Sequence, residues 1–304
     1  MACTSPLNLY PRDPDKFNGV RGMTTDPRKA LIGGFSLTVA CGRCIECRLA
    51  YAVEWSIRCM NEKATVGPSV FVTLTYDDEH LPEDYDLHYR DFQLFMHKLR
   101  KAVPGGGRFF MCGEYGDDYG RPHFHAILFN CDFADKQFYK RVDGVDYYIS
   151  QKLTSLWGNG FTLLGDVTFT SAGYVARYSV KKITGAASGD AYQYLEEGTG
   201  EVFDRRSPFS QSSLKPGIGY EWFMRYHSDI YPCDFVVHGG RQFPVPRYYA
   251  KLYERMFPAD AAALKASKKS LMAARRDDPE FSMRRLLTKH ELGVLLANHK
   301  RELS

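Results

Sequence analysis

The 304-residue chain has no long apolar run. Its longest uncharged stretches, Ala64–Tyr76 and Leu153–Gly165 among them, reach only 13 residues, where a membrane-spanning helix needs about 18 or more. It also lacks a signal-like start. Pro6, Pro11, Asp13, Pro14 and Asp15 stand where a secretory leader would carry its apolar core. No internal repeat or long low-complexity tract interrupts it, and with 44% hydrophobic and 25% charged residues its composition excludes disorder as the dominant state. No membrane partner is expected, and the expected location is the cytoplasm of the cell that makes it. Nor is there a dominant charge. The net +4 lies wholly in residues 259–304, with 10 Lys and Arg against 6 Asp and Glu, while residues 1–258 balance at 30 against 30. That balance permits a nucleic-acid partner without requiring one. The eight cysteines are not spaced as a disulfide framework, because Cys41, Cys44 and Cys47 crowd into one short cluster.

Against these absences stand 20 Tyr and 20 Phe, which either fill a strand-rich core or stack on unpaired bases. Residues 1–40 are punctuated by Pro and Gly and read as an irregular arm; a helix follows the cysteines to about Ala64. Ser69–Tyr76 is rich in β-branched and aromatic residues, a strand. Phe92, Phe95, Met96, Leu99 and Val103 fall on one helical face. Arg108–Tyr115 and Pro122–Phe129 form a hairpin across a turn-rich link. A helix around Tyr147–Leu156, a strand at Phe161–Phe169 and a helix at Ala172–Ile183 come next. The Gly- and Ser-rich segment 184–219 reads as a mobile loop, Phe235–Phe243 as a hairpin, and Tyr248–Met256 and two stretches flanking Pro279 as helices. The expected fold is α+β: a central antiparallel sheet of about five strands with flanking helices and added N- and C-terminal helices. The expected organisation is an arm at 1–40, a main domain at 41–258 and a basic helical tail at 259–304.

In the strand Arg121-Pro-His-Phe-His-Ala-Ile-Leu-Phe129, His123 and His125 share one face while Phe124, Ala126 and Leu128 face the other. Paired imidazoles are either a metal platform or a hydrogen-bonded surface pair. Glu114 closes the preceding strand and either lies in water or joins them as an oxygen ligand, which would leave coordination positions open. Tyr174 and Tyr178 are i and i+4 on a helix, with Lys181 a turn beyond. The tyrosines either pack on the sheet or supply phenolic nucleophiles beside a cation. Cys41, Cys44 and Cys47 offer three ligands to a structural Zn2+, and the spacing does not name a fourth. Cys59 lies too far along the helix, about 18 Å away.

Taken in order, Phe71-Val-Thr-Leu-Thr-Tyr76, Gly113-Glu-Tyr-Gly116, Arg121-Pro-His-Phe-His125 and the Tyr-x3-Tyr-x2-Lys helix resemble the HUH-endonuclease superfamily. With Cys41-x2-Cys-x2-Cys-Arg48, Lys215-Pro-Gly-Ile-Gly219 and Pro244-x-Pro-Arg-Tyr-Tyr249, the chain is most similar to the replication initiators of microviruses, especially the gokushovirus type. The resemblance implies an HUH/RRM-like core and a rolling-circle initiator that nicks single-stranded origin DNA through a 5′-phosphotyrosine and later rejoins strands. It implies Mg2+ or Mn2+ on His123, His125 and Glu114, and Tyr174 and Tyr178 as nucleophiles. Lys181 would stabilise developing charge, with Arg177 and Lys182 contacting DNA. Host helicase and polymerase would be partners, in the cytoplasm of a bacterial host. Two other readings stay open, a relaxase or transposase of the same superfamily and a non-catalytic single-stranded nucleic-acid-binding module. A metallohydrolase of the His-x-His-x-Asp-His type fails, because Ile127 and Leu128 occupy its last two positions.

Overall fold

A computed structural model describes residues 3–17, 22–116, 120–181, 192–196, 198–274, 278–279 and 282–302, with backbone alone for 178–181, 283 and 296–302. In chain order its elements are β1 (Leu7–Pro11), β2 (Met23–Thr24), β3 (Leu37–Val39), α1 (Ile45–Val66), β4 (Ser69–Tyr76), α2 (Tyr89–Ala102), β5 (Arg108–Tyr115), β6 (Pro122–Phe129), β7 (Gln137–Val142), β8 (Val145–Ile149), α3 (Gln151–Trp157), β9 (Gly160–Asp166), α4 (Phe169–Lys181), β10 (Gln193–Leu195), β11 (Val202–Asp204), β12 (Phe209–Ser212), α5 (Tyr220–Ile230), β13 (Phe235–His238), β14 (Arg241–Pro244), α6 (Arg247–Met256), α7 (Pro258–Ala274) and α8 (Met283–Glu302). They divide into two units, Ala52–Ala261 and Met1–Tyr51 with Ala262–Ser304. Among the described residues no helix is long and apolar enough to cross a membrane.

The larger unit is built on a seven-stranded sheet of order β12-β5-β6-β4-β9-β8-β7, antiparallel throughout. Its central strand, β4, shows why the sheet forms. Val70, Val72, Leu74 and Tyr76 alternate onto one buried face, so each second residue removes apolar surface from water. The same face of β6 adds Phe124, Ala126 and Leu128. Phe92, Phe95, Met96 and Leu99 of α2 cover these strands, as do Leu153 and Trp157 of α3. The opposite face carries Phe71, Thr73 and Thr75 on β4 and His123 and His125 on β6. Helix α4 packs on the β5 side of that face.

The sheet has more strands than the expected five, for reasons of pairing that local pattern does not carry. Residues 184–219, expected to be a mobile loop, contain β12, which adds to the β5 edge with Phe209 opposite Gly113. They also contain the hairpin of β10 and β11. The helix expected around Tyr147–Leu156 begins only at Gln151, because the Ser150 hydroxyl accepts from the Leu153 N–H (3.0 Å) and caps it there. Tyr147 and Tyr148 before the cap pair with β7 as a strand. The Phe235–Phe243 hairpin forms, but as a separate two-stranded sheet.

In the smaller unit, residues expected to be irregular form a three-stranded antiparallel sheet of order β2-β1-β3, with Leu7 opposite Val39. Thr4 and Cys44 are the only buried residues described in this unit. It therefore has almost no apolar core, whereas the larger unit has a continuous one.

The contrast between the two faces of the large sheet is measurable. Phe124→Ala, which empties a fully buried site, is expected to cost about 3–5 kcal/mol in urea denaturation. Phe161→Ala removes a ring that is 68% exposed and should change stability by no more than about 0.5 kcal/mol.

Candidate active site

Strand register assembles the site. Glu114 on β5 is directly opposite His123 on β6, and on the other side His123 and His125 are opposite Thr75 and Thr73 of β4. Directly paired residues share a sheet face, so these five side chains stand together, with the intervening Phe124 anchored in the core below. The Glu114 Oε1 atom lies 2.7 Å from His125 Nε2 and 3.1 Å from His123 Nε2. Glu114 and His125 are buried, and His123 is half-buried at the rim.

The outer atoms of both rings are tied down. His123 Nδ1 lies 3.1 Å from the Arg121 carbonyl; a carbonyl can only accept, so Nδ1 carries the proton and Nε2 presents its lone pair to Glu114. His125 Nδ1 bonds the Thr73 hydroxyl at 2.9 Å. Arg121 is itself fixed, donating to the Tyr76 carbonyl (3.0 Å) and pairing with Asp78. A ring whose far nitrogen is held in this way has its ligand nitrogen aimed and made more basic.

The donor set fits a divalent cation. All three groups offer ligand atoms within 4.8 Å of one another. Glu114 Oε2 is buried with no hydrogen-bond partner among the described residues, and a buried carboxylate oxygen is costly to leave unsatisfied. A neutral His123 Nε2 facing a carboxylate sets lone pair against lone pair, an arrangement a cation between them relieves. Two imidazoles and one carboxylate, with further positions open, suit Mn2+ better than Mg2+, which prefers oxygen.

Helix α4 brings the phenol. Its start is fixed by a reciprocal cap: Thr168 N–H donates to Ser171 Oγ (2.8 Å) and Ser171 N–H to Thr168 Oγ1 (3.1 Å). Ala172, Gly173, Val175 and Ala176 are buried. At Gly173 any Cβ would come 2.9 Å from Ser56 Oγ, so glycine lets α4 close on α1, whose Ser56 hydroxyl donates to the Phe169 carbonyl (2.9 Å). The half-buried Tyr174 ring then stands edge-on to His125, centroids 5.1 Å apart. Phe71 stacks on His125 at 5.6 Å and touches Tyr174 at 6.3 Å. Two neighbouring phenols are already engaged. Tyr115 donates to Asp86 (2.6 Å) and Tyr76 to Asp91 (2.7 Å). Burial first, and then the carboxylate partner, raises the pKa of each.

Of the residues expected from the sequence, the structure thus gathers Glu114, His123, His125 and Tyr174. Arg177 is exposed one turn along α4. Tyr178 and Lys181 lie on that helix with side chains outside the description, and Lys182 lies outside the described residues. Cys41, Cys44 and Cys47 also come together, joined by Cys3, a ligand that spacing did not name. Sequence reasoning missed Thr73, Arg121 and Phe161 as well. Phe161 of β9 is opposite Thr75, itself opposite His123. It therefore shares the site's face two strands away, about 9–10 Å from His123, and is largely exposed. A Phe left exposed in a strand whose alternate residues are buried is the signal that could have found it.

The family model for Replication-associated protein ORF2 and its relatives matches residues 69–183. The chain is 35% identical over 293 residues to the replication-associated protein VP4 of Bdellovibrio phage phiMH2K, covering 91% of this chain and 87% of that one. It is 32% identical over 237 residues to replication-associated protein ORF2 of Spiroplasma virus 4, covering 72% and 68%. To replication-associated protein ORF4 of Chlamydia phage 1 it is 26% identical over 236 residues, covering 75% and 56%. No solved structure matches it.

Thr73→Val, which keeps the shape and removes the hydroxyl behind His125, is expected to weaken Mn2+ binding about 10–100-fold in titration calorimetry. Unchanged affinity would mean that the hydroxyl does not orient the ring.

Proposed function

The chain belongs to the replication-associated proteins of microviruses, and from that premise we propose that it is the metal-dependent nickase and strand transferase that starts rolling-circle replication at a single-stranded origin. The observation that carries this reading is the convergence of Glu114, His123 and His125 beside the Tyr174 ring. A module that only bound nucleic acid would gain nothing from burying a carboxylate between two imidazoles.

Held by Glu114, His123 and His125, Mn2+ or Mg2+ would polarise the scissile phosphate as a Lewis acid. The Tyr174 hydroxyl attacks phosphorus. A tyrosyl P–O bond forms as the bond to the 3′ oxygen breaks; the phenolic proton passes to solvent, and the departing oxygen takes up a proton. The products are a 5′-phosphotyrosine and a free 3′-OH. One phosphodiester has replaced another, so a later 3′-OH can reverse the step and close a circle without an energy source. Tyr178, one turn along α4 at i+4, is the proposed second nucleophile, free to cut while Tyr174 holds the first end. Lys181 stabilises charge developing on the phenol or phosphate, and Arg177 and Lys182 contact neighbouring phosphates. The open sheet face leads the strand to the site, with Phe161 stacking one base. The free 3′-OH is extended by the host polymerase behind a host helicase, in the cytoplasm of the bacterial host.

The decisive test incubates the protein with end-labelled single-stranded origin oligonucleotides, with Mn2+ or with EDTA, and resolves adducts on denaturing gels. A metal-dependent covalent adduct is expected. Tyr174→Phe and Tyr178→Phe should each retain part of it, and the double variant should lose it. No adduct on any origin fragment with either metal would overturn the reading. Separately, Phe161→Ala is expected to weaken oligonucleotide binding about 10-fold by fluorescence anisotropy, and an unchanged affinity would remove that ring from the DNA path.

A further inference from the structure

The nicking chemistry makes no use of the sulfur cluster in the smaller unit. Four of the chain's eight cysteines, Cys3, Cys41, Cys44 and Cys47, place their Sγ atoms within 4.8 Å of one another. The local reason begins at Gly42, whose φ of +72° is a left-handed conformation that costs glycine little. The turn it makes brings the N–H groups of Arg43 (3.4 Å) and Cys44 (3.2 Å) onto Cys41 Sγ. Helix α1 begins immediately afterwards, with Arg48 N–H bonded to the Cys44 carbonyl, which sets Cys47 one turn from Cys44. Cys3 arrives by a different route. The β1–β3 ladder pairs Leu7 with Val39, and the chain leading into β1 runs back beside the cysteine turn, where Cys41 N–H bonds Cys3 Sγ at 3.3 Å.

We propose that Cys3, Cys41, Cys44 and Cys47 bind one structural Zn2+ as a closed tetrathiolate site. Three observations support it. The Cys3 and Cys44 sulfurs are 3.8 Å apart, the edge of a tetrahedron with Zn–S bonds of about 2.3 Å and far beyond the roughly 2.05 Å of a disulfide. Backbone N–H donors aimed at sulfur favour the thiolate, the form that binds metal. Burial pushes the Cys41 thiol up, yet the Arg43 and Cys44 N–H groups more than offset it and bring it to about 7. Finally, only Thr4 and Cys44 are buried among this unit's described residues. A unit with so little core needs another source of stability, which a tetrathiolate zinc supplies directly. Four ligands leave no open coordination position, so the zinc has no part in strand cleavage.

The test is the metal content of the full-length protein, purified without chelator and measured by inductively coupled plasma mass spectrometry. About one zinc per chain is expected. Cys3→Ser and Cys44→Ser should each lose it, whereas Cys233→Ser and a His123→Ala/His125→Ala double variant should keep it. The double variant separates this site from the nicking site, because it is expected to lose adduct formation with its zinc intact. Should the cysteine variants fail to fold, Co2+ loaded into the wild type decides the matter. A thiolate-to-cobalt charge-transfer band with tetrahedral d–d absorption supports the site. Absence of both zinc and that cobalt spectrum in the wild type, retention of zinc by Cys3→Ser, or its loss with the histidines would each overturn the proposal.

Discussion

The site in the larger unit depends on one ladder position, Glu114 opposite His123. Strand side chains alternate strictly, so slipping β5 or β6 by one residue would turn the ligand residues into the core and bring Phe124 out to solvent. The same register that buries Phe124, Ala126 and Leu128 therefore also assembles the donors. Core formation and site formation are one event here, and the free energy of apolar burial holds a buried carboxylate against two imidazoles.

That arrangement is costly without a cation, and the surroundings show how it is maintained. The Arg121 carbonyl sets the tautomer of His123, Thr73 orients His125, and Phe71 stacks on its ring. Each comes from a different position along β4 or β6, so the donors rest on rigid strands rather than on loops. Tyr174 is placed by a different device, a capped helix drawn close to α1 through Gly173. A sheet for the ligands and a helix for the nucleophile keep the two parts independent.

The smaller unit answers a different constraint. Too little apolar surface is buried there to hold a fold, and the feature that gathers its chain is a set of four sulfurs. In the larger unit, by contrast, the cysteines Cys59, Cys112 and Cys131 are each buried as small apolar side chains.

Where periodicity is strong and local, the chain could be read directly. The alternation in Ser69–Tyr76, the Phe92–Leu99 helical stripe and the His-x-His strand fall where the pattern put them, since pleat and helical repeat are properties of the backbone. The spacing of His123 and His125 placed them on one face by the same rule. What escaped were pairings across long separations: β12 on the β5 edge, Tyr147 and Tyr148 drawn into a strand that Ser150 ends, and Cys3 joining residues 38 positions away through the β1–β3 ladder. Their formation is decided by which partner surface is free, and nothing local encodes that. Residue types and their spacing thus marked out the groups able to do chemistry. The company those groups keep was settled by the folded chain alone, because a ligand set closes across strands whose register is set by the whole core.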